Sequence, residues 1–461
     1  MDIDMILGPP GTGKTKTLED IVDFELNKKG VAPENIALVT FTKKGAEELL
    51  SRVSARFGIP MTSFKNARTL HSMAFRGVGA KRDNMMNRAR YYDFSKKIGL
   101  SFSGYYSEEL SNGDDKYLFL ADMYRNNKKY AIKQSEPLDR NKLMFVMKQY
   151  RQYKDTFLYT DFTDLIEMFI NRKVVIDAEV AIIDEAQDLT TLQWQMVWSA
   201  FSGCKRVYIA GDDDQAIYQW SGADVNYFLN IQGNIQILKE SWRLPQTLVN
   251  YSKKISTQID NRIDKTYHGQ NKPGGVQYVN SLAEIDVNPK ESYLCLSRNN
   301  CFLPQYEEWL TSLTIPYKFK GENVVSKMDL EAIKKYENVR KTSMMSDVLE
   351  HKLSRLRKKD STLADPWYDA FDWPENKILL IRDLIGQKRV TEESKINVAT
   401  IHSVKGGEAD NVILMEDITK PVYEQLDLDP DSEHRVFYVG ATRAKKNLII
   451  VKAQSEFRYK L

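Results

Sequence analysis

The run Gly8-Pro9-Pro10-Gly11-Thr12-Gly13-Lys14-Thr15 has the residue types and spacing of a phosphate-binding loop, G-x-x-x-x-G-K-[ST]. Its glycines let the backbone turn with N–H groups pointing inward, at a helix N-terminus whose partial positive charge favours an anion. Lys14 would reach the β- and γ-phosphates of a nucleoside triphosphate, and the Thr15 hydroxyl would hold Mg²⁺. A second group with chemical capacity is Asp184-Glu185, behind the apolar run Val180-Ala181-Ile182-Ile183. Its aspartate can hold magnesium through a water shell, and its glutamate can polarise an attacking water. Two acids ending a strand are commonplace and read equally well as a solvated turn. Paired with the phosphate loop, they point to hydrolysis of a bound triphosphate.

These groups need elements to hold them. Met5-Ile6-Leu7 reads as a strand entering the loop, and Leu18, Ile21 and Val22 as the buried side of the helix leaving it. The Asp184 strand is expected directly beside the loop strand. Ile36–Val39, Val207–Ala210 and Ile235–Leu238 read as further buried strands of a first α/β lobe, over 1–75 and 166–240. Between them, 76–165 is polar, basic and tyrosine-rich, as in Arg88-Ala89-Arg90-Tyr91-Tyr92 and Arg125-Asn126-Asn127-Lys128-Lys129-Tyr130, and predicts an inserted, mainly helical subdomain. A second α/β lobe is expected over 241–321 and 395–461, with strands at Tyr293–Leu296, Asn397–Ile401, Val412–Met415 and Leu448–Val451 and a helix over Arg435–Ala444. The charged, irregular stretch 322–394 reads as a small second insertion. The fold class is therefore α/β, with two lobes of parallel sheet flanked by helices, each carrying an inserted, mainly helical subdomain.

A chain of 461 residues with 42% hydrophobic content can bury several cores. Net charge is only +3, so any nucleic-acid surface must be local. Cys204, Cys295 and Cys301 are odd in number and lack metal-site spacing, as expected of a reduced intracellular protein. No signal pattern and no membrane-length apolar run is present.

The order of motifs resembles the UvrD/Rep-type superfamily 1 DNA helicases over nearly the whole chain. The resemblance implies two RecA-like P-loop lobes with ATP and Mg²⁺ between them and single-stranded DNA crossing both. Lys14 and Thr15 then hold phosphate and metal, Asp184 is the metal-side acid, and Glu185 is the base for hydrolysis. Gln215, in Gly211-Asp212-Asp213-Asp214-Gln215, is similar to the glutamine that senses the γ-phosphate. Arg243 and Arg443 resemble arginine fingers from the second lobe, the latter in Tyr438-Val439-Gly440-Ala441-Thr442-Arg443-Ala444. Trp242 stands where the family usually stacks a tyrosine on adenine, and Glu408 resembles a glutamate that touches the ribose. Phe41, Tyr218 and Trp220 match positions that stack on bases, a contact indifferent to sequence. Thr40, His71, Thr400 and His402 match further DNA-contacting positions. For each aromatic the ordinary alternative is core packing, and for each arginine a surface salt bridge.

The chain also departs from the pattern. Only seven residues precede Gly8, which leaves no room for the family's upstream adenine-reading glutamine, so weak discrimination between ATP and GTP is expected. Gly407 and Ala409 replace bulky residues beside Glu408, and both insertions are shorter than in full-sized members. The leading reading is an ATPase moving on single-stranded or partly duplex DNA, 3′→5′ and unwinding. A translocase that strips proteins from DNA, or a nucleotide-switched binding module with little turnover, are the alternatives. An appended nuclease is not expected, RNA remains open as the track, and so does oligomeric state, a monomer included. The implied setting is the cytoplasm, on the nucleoid or in a phage host, alongside replication, repair or recombination proteins and without a membrane.

Overall fold

A computed structural model describes residues 1–104, 113–127, 139–389 and 393–461; Lys128, Lys129 and Tyr130 of the basic stretch lie outside them. The chain divides into two units. The first comprises Met1–Leu244, Lys253–Gln270 and Asp429–Tyr438, and the second Pro245–Ser252, Asn271–Leu428 and Val439–Leu461.

In the first unit, β1 (Asp2–Leu7), β2 (Ile36–Thr40), β3 (Asn66–Thr69), β4 (Val180–Ile183), β5 (Arg206–Gly211) and β6 (Asn234–Ile237) form a parallel sheet ordered β3-β2-β4-β5-β1-β6. The strands are continuous apolar runs because helices cover both faces. Alternate residues feed a core with Met73, Phe169, Trp194 and Phe201 on one face and with Leu18, Val22, Leu49 and Val53 on the other. The order corrects one expectation: β5, not β4, is the neighbour of β1 on that side. Val207–Gly211 is buried throughout, and a position with a strand on each side satisfies both rows of its backbone groups. The ends of β1, β5 and β4 therefore lie side by side, carrying the phosphate loop, Asp212 and Asp184 in that order. A separate ribbon pairs β7 (Glu240–Pro245) with β8 (His268–Gln270).

The first insertion is helical as expected, with helices Arg88–Ile98, Asp115–Asn126 and Arg140–Phe157 around Phe94, Tyr117, Leu118, Val146 and Tyr150. The next helix, Phe162–Asn171, sends Leu165, Ile166 and Phe169 into the sheet's core. Its capping box, Asp161 with Asp164, is bound by Lys154 at 2.5 Å to each carboxylate and by Arg125 at 3.0 and 2.5 Å. That ion cluster fastens the insertion to the helix that enters the sheet's core.

In the second unit, β9 (Gly275–Val279), β10 (Tyr293–Ser297), β11 (Lys318–Phe319), β12 (Glu322–Asn323), β13 (Ile396–Thr400), β14 (Ala409–Met415) and β15 (Ala444–Val451) form a sheet ordered β12-β11-β13-β10-β14-β15-β9. It is parallel except for the β11–β12 hairpin. The helix expected over Arg435–Ala444 spans Pro430–Ala441, so Arg443 follows it and β15 starts at Ala444. The charged stretch of the second insertion is helical, as the fold class implies, over Lys327–Thr342, Asp347–Ser354, Trp367–Ala370 and Glu375–Gly386. Its charges sit on exposed faces, while Ile333, Tyr336, Val339, Leu353, Trp367, Phe371 and Ile381 form a core of their own. Ser326 and Asp329 cap its first helix reciprocally.

Candidate functional site

β1 ends at Leu7, and the Gly8 N–H donates to the carbonyl of Gly211 at 3.0 Å, fixing where the loop begins. Pro9 accepts from the Thr12 hydroxyl at 2.8 Å, and the helix starts at Lys14 with Gly13 at φ 80° before it. Pro9, Pro10, Gly11 and Thr12 thus form a closed turn, and Gly13 leads from it into the helix that opens with Lys14 and Thr15. The Lys14 ammonium lies 2.8 Å from Glu185 Oε1. Burial alone would lower its pKa, but the carboxylates of Glu185, Asp184 and Asp212 outweigh it and hold the group charged. Loop and acid pair are thus brought together within one unit. Glu185 has φ 54°, in the left-handed region, a conformation costly for a side chain with a Cβ and concentrated at functional sites. Asp184 Oδ1 accepts the Glu185 N–H at 2.8 Å.

Thr15 offers a hydroxyl and Asp184 a carboxylate, oxygen donors of the kind that Mg²⁺ takes. Among the described residues no cluster of three or more His, Cys, Asp or Glu side chains could cage a metal, whereas Mg²⁺ with a nucleotide takes one or two protein oxygens plus phosphates and water. Thr15 and Asp184 are the side chains that would hold it.

Beyond β5, Asp212 Oδ2 accepts from Gln215 Nε2 at 2.7 Å. Asp212, Asp213 and Asp214 are all buried, and burial without cations would be costly. Lys265 meets all of them, at 3.3 Å from Asp212, 3.1 Å from Asp214 and in direct contact with Asp213. Arg262 forks onto Asp214 at 2.8 and 2.7 Å, and Arg435 donates to the Asp213 carbonyl at 2.9 Å. Burial works against Asp214, but Arg262 and Lys265 keep its carboxyl below the usual range, while burial pushes Asp212 up. Lys265 and Arg435 were not picked out from sequence; the available signal was three consecutive aspartates that need buried cations if they are not exposed.

The ribbon strand β7 lies against the loop. The Trp242 N–H donates to the Gly11 carbonyl at 2.8 Å, and the Ser241 hydroxyl to that of Pro10 at 2.7 Å. Gly11 has φ 72°, and any Cβ there would collide with the Cβ of Arg243. Arg243 therefore belongs to the first unit, not to the second lobe expected from its motif, and touches the loop. The Trp242 indole is 69% exposed beside Gly13, a free aromatic face next to the turn.

Thr40 ends β2 with its hydroxyl donating to the Thr42 carbonyl at 2.7 Å. Phe41 stacks on Tyr218 with ring centroids 5.5 Å apart, Trp220 lies 6.2 Å from Phe119 of the insertion, and His71 meets Phe162 edge-on at 5.4 Å. Burial pushes His71 down to about 4, so it is neutral at physiological pH. These residues all fall in the first unit.

In the second unit, Thr400 ends β13 with its hydroxyl 3.3 Å from that of Ser403, and His402 opens the following turn. Glu408 pairs with Lys445 at 3.0 Å. Arg443 is 1% exposed, its guanidinium on the Val439 carbonyl at 2.9 Å and the Gly407 carbonyl at 3.4 Å.

Residues 4–236 match the family model of the UvrD/REP helicase N-terminal domain, and residues 395–451 that of the UvrD-like helicase C-terminal domain. The chain is 24% identical to the ATP-dependent DNA helicase UvrD2 of Mycobacterium tuberculosis, over 98% of this chain and 76% of that one. It is 23% identical to DNA helicase II of Rickettsia typhi, over 98% and 90%, and 23% identical to the ATP-dependent DNA helicase Rep of Buchnera aphidicola, over 99% and 93%. The aligned spans of 537, 615 and 604 positions exceed this chain's 461 residues, so these relatives carry segments that it lacks.

Proposed function

Because the chain belongs to the UvrD/Rep helicase family, we propose that it is an ATP-dependent DNA helicase that moves 3′→5′ on single-stranded DNA. The observation that carries this reading is the contact of Lys14 with Glu185 beside a loop-and-acid arrangement that also holds Gln215. In that reading Lys14 and the loop N–H groups bind the phosphates, and Glu185 takes a proton from the attacking water. Trp242 stacks on the base and Glu408 meets the ribose. Bound Mg²⁺ would supply charge neutralisation on the phosphates. Arg243 beside the loop, and Arg443 from the second unit, stabilise the charge that builds on the transferred phosphoryl group. Gln215 senses the γ-phosphate, and differential contacts in the two nucleotide states bias a conformational equilibrium that is the motor stroke. Phe41, Tyr218 and Trp220 grip bases by stacking irrespective of sequence, and Thr40, His71, Thr400 and His402 make further backbone or base contacts along the track.

The segments absent relative to the aligned proteins favour a second reading, a translocase that displaces bound proteins and separates strands poorly. A labelled strand annealed beside a 3′ or a 5′ single-stranded tail distinguishes the two. Release from the 3′-tailed duplex alone supports the helicase. Displacement of streptavidin from a 3′-biotinylated or 5′-biotinylated single strand, without duplex separation, supports the translocase.

A further inference from the structure

Gln187 is fully buried in the turn Ala186–Asp188, and its amide joins two parts of the site that are far apart in sequence. Its Nε2 donates to Glu185 Oε2 at 2.7 Å, with Asp188 Oδ2 at 3.4 Å, while its Oε1 accepts the Asp212 N–H at 3.0 Å. The orientation of the amide is fixed by chemistry: a backbone N–H can only donate and a carboxylate only accept, so oxygen must face Asp212 and nitrogen must face Glu185. Asp212 in turn accepts from Gln215 Nε2 at 2.7 Å. An unbroken hydrogen-bonded chain therefore runs Glu185–Gln187–Asp212–Gln215.

The backbone is shaped to permit this chain. The left-handed Glu185 reverses the direction of the main chain after β4 and aims Gln187 at the end of β5. There, residue 211 is glycine, and a Cβ at that point would sit 2.5 Å from Gln187 Oε1. The amide approaches where no other residue would leave it space.

We propose that Gln187 is a positioning residue for hydrolysis, which holds the Glu185 carboxylate toward the attacking water and carries displacement of the Gln215 loop to it. The inference rests on the roles proposed above for Glu185 and Gln215. One carboxylate oxygen of Glu185 is engaged by Lys14 and the other by Gln187. A misplacement of a reacting group by about 1 Å can cost about a hundredfold in rate, so loss of the Gln187 amide falls on turnover and spares nucleotide affinity.

The experiment compares ATP hydrolysis, saturated with single-stranded DNA, for the full chain and for Gln187→Met, Gly211→Ala and the double variant, with fluorescent-nucleotide affinity measured on each. Gln187→Met keeps length and removes both hydrogen bonds. Gly211→Ala keeps the Gln187 side chain while crowding its oxygen, at 2.5 Å from the new Cβ, and the Phe228 ring, at 2.9 Å. The expected result is that kcat falls about thirtyfold or more in each single variant while nucleotide affinity stays within about twofold. The double variant is expected to be no slower than the slower single one, because both substitutions break one link. Gln187→Met with kcat within threefold of an active wild type overturns the inference. So does loss of nucleotide affinity in parallel with kcat, or full multiplication of the two effects, either of which marks a merely structural role. A wild type without DNA-stimulated hydrolysis overturns the functional reading itself, and with it this inference.

Discussion

Lys14 and Glu185 face each other directly, and that pairing defines what each must do when a triphosphate enters. In the proposed function the lysine ammonium, kept charged by surrounding carboxylates, would exchange one anionic partner for another, leaving Glu185 to act on water. Glu185→Gln retains shape and one acceptor oxygen for Lys14, at the expense of the hydrogen bond from Gln187, but cannot accept a proton. Its kcat is expected to drop about 10²- to 10⁴-fold while ATP binding, followed by fluorescence, persists; equal losses of both would contradict the assignment. His71 makes a different test. Its folded pKa of about 4 lies below the unfolded value of about 6.5, so between the two the unfolded chain binds more protons. Stability from this residue is therefore complete above about pH 6.5 and is lost as pH falls toward 4. His71→Gln should flatten that part of the urea-midpoint profile, and an unchanged slope would count against a neutral, half-buried imidazole. The motif residues could be located from sequence because they are contiguous. Gln187 could not, since its partners Glu185 and Asp212 meet only through the turn after β4 and the bare Cα of Gly211.

Elements come together here through ion clusters as much as through apolar faces. The segment Lys253–Gln270 joins the first unit, and the Lys265 ammonium among Asp212, Asp213 and Asp214 is its anchor. Burial alone would lower the Lys265 pKa, but the three carboxylates outweigh it and keep it charged. Removing one partner of such a buried set leaves charge uncompensated, at about 3–5 kcal/mol. Lys265→Met should therefore lower the unfolding free energy by about that amount, measured by urea denaturation of the first transition; a change under about 1 kcal/mol would show that Arg262 and Arg435 suffice. The alternation of strand and helix was legible wherever strands are buried on both faces, as in Ile36–Thr40 and Val180–Ile183. The placement of β5 between β4 and β1 was not, because every buried parallel strand has the same pattern. Likewise the second insertion reads as charged until Tyr336, Trp367 and Phe371 are seen to share one core; charged residues such as Lys334, Lys335 and Glu337 separate its apolar positions.

For the whole molecule, the fold class and the family were readable from motif order, whereas Arg243 shows the limit of that reading. Its motif was recognised, but only the hydrogen bonds from Ser241 and Trp242 to the loop carbonyls show that it sits against the phosphate loop within the first unit. No described helix is long and apolar enough to cross a membrane. In the proposed function, ATP turnover is governed by DNA. The most direct test is ATP hydrolysis by the purified chain with and without single-stranded DNA, with Lys14→Ala as the blank. Stimulation of about tenfold or more, equivalent to about 1.4 kcal/mol off the barrier, and its abolition in the variant are the predicted results. Turnover that is the same with and without DNA would contradict the claim and remove the aromatic track from the mechanism.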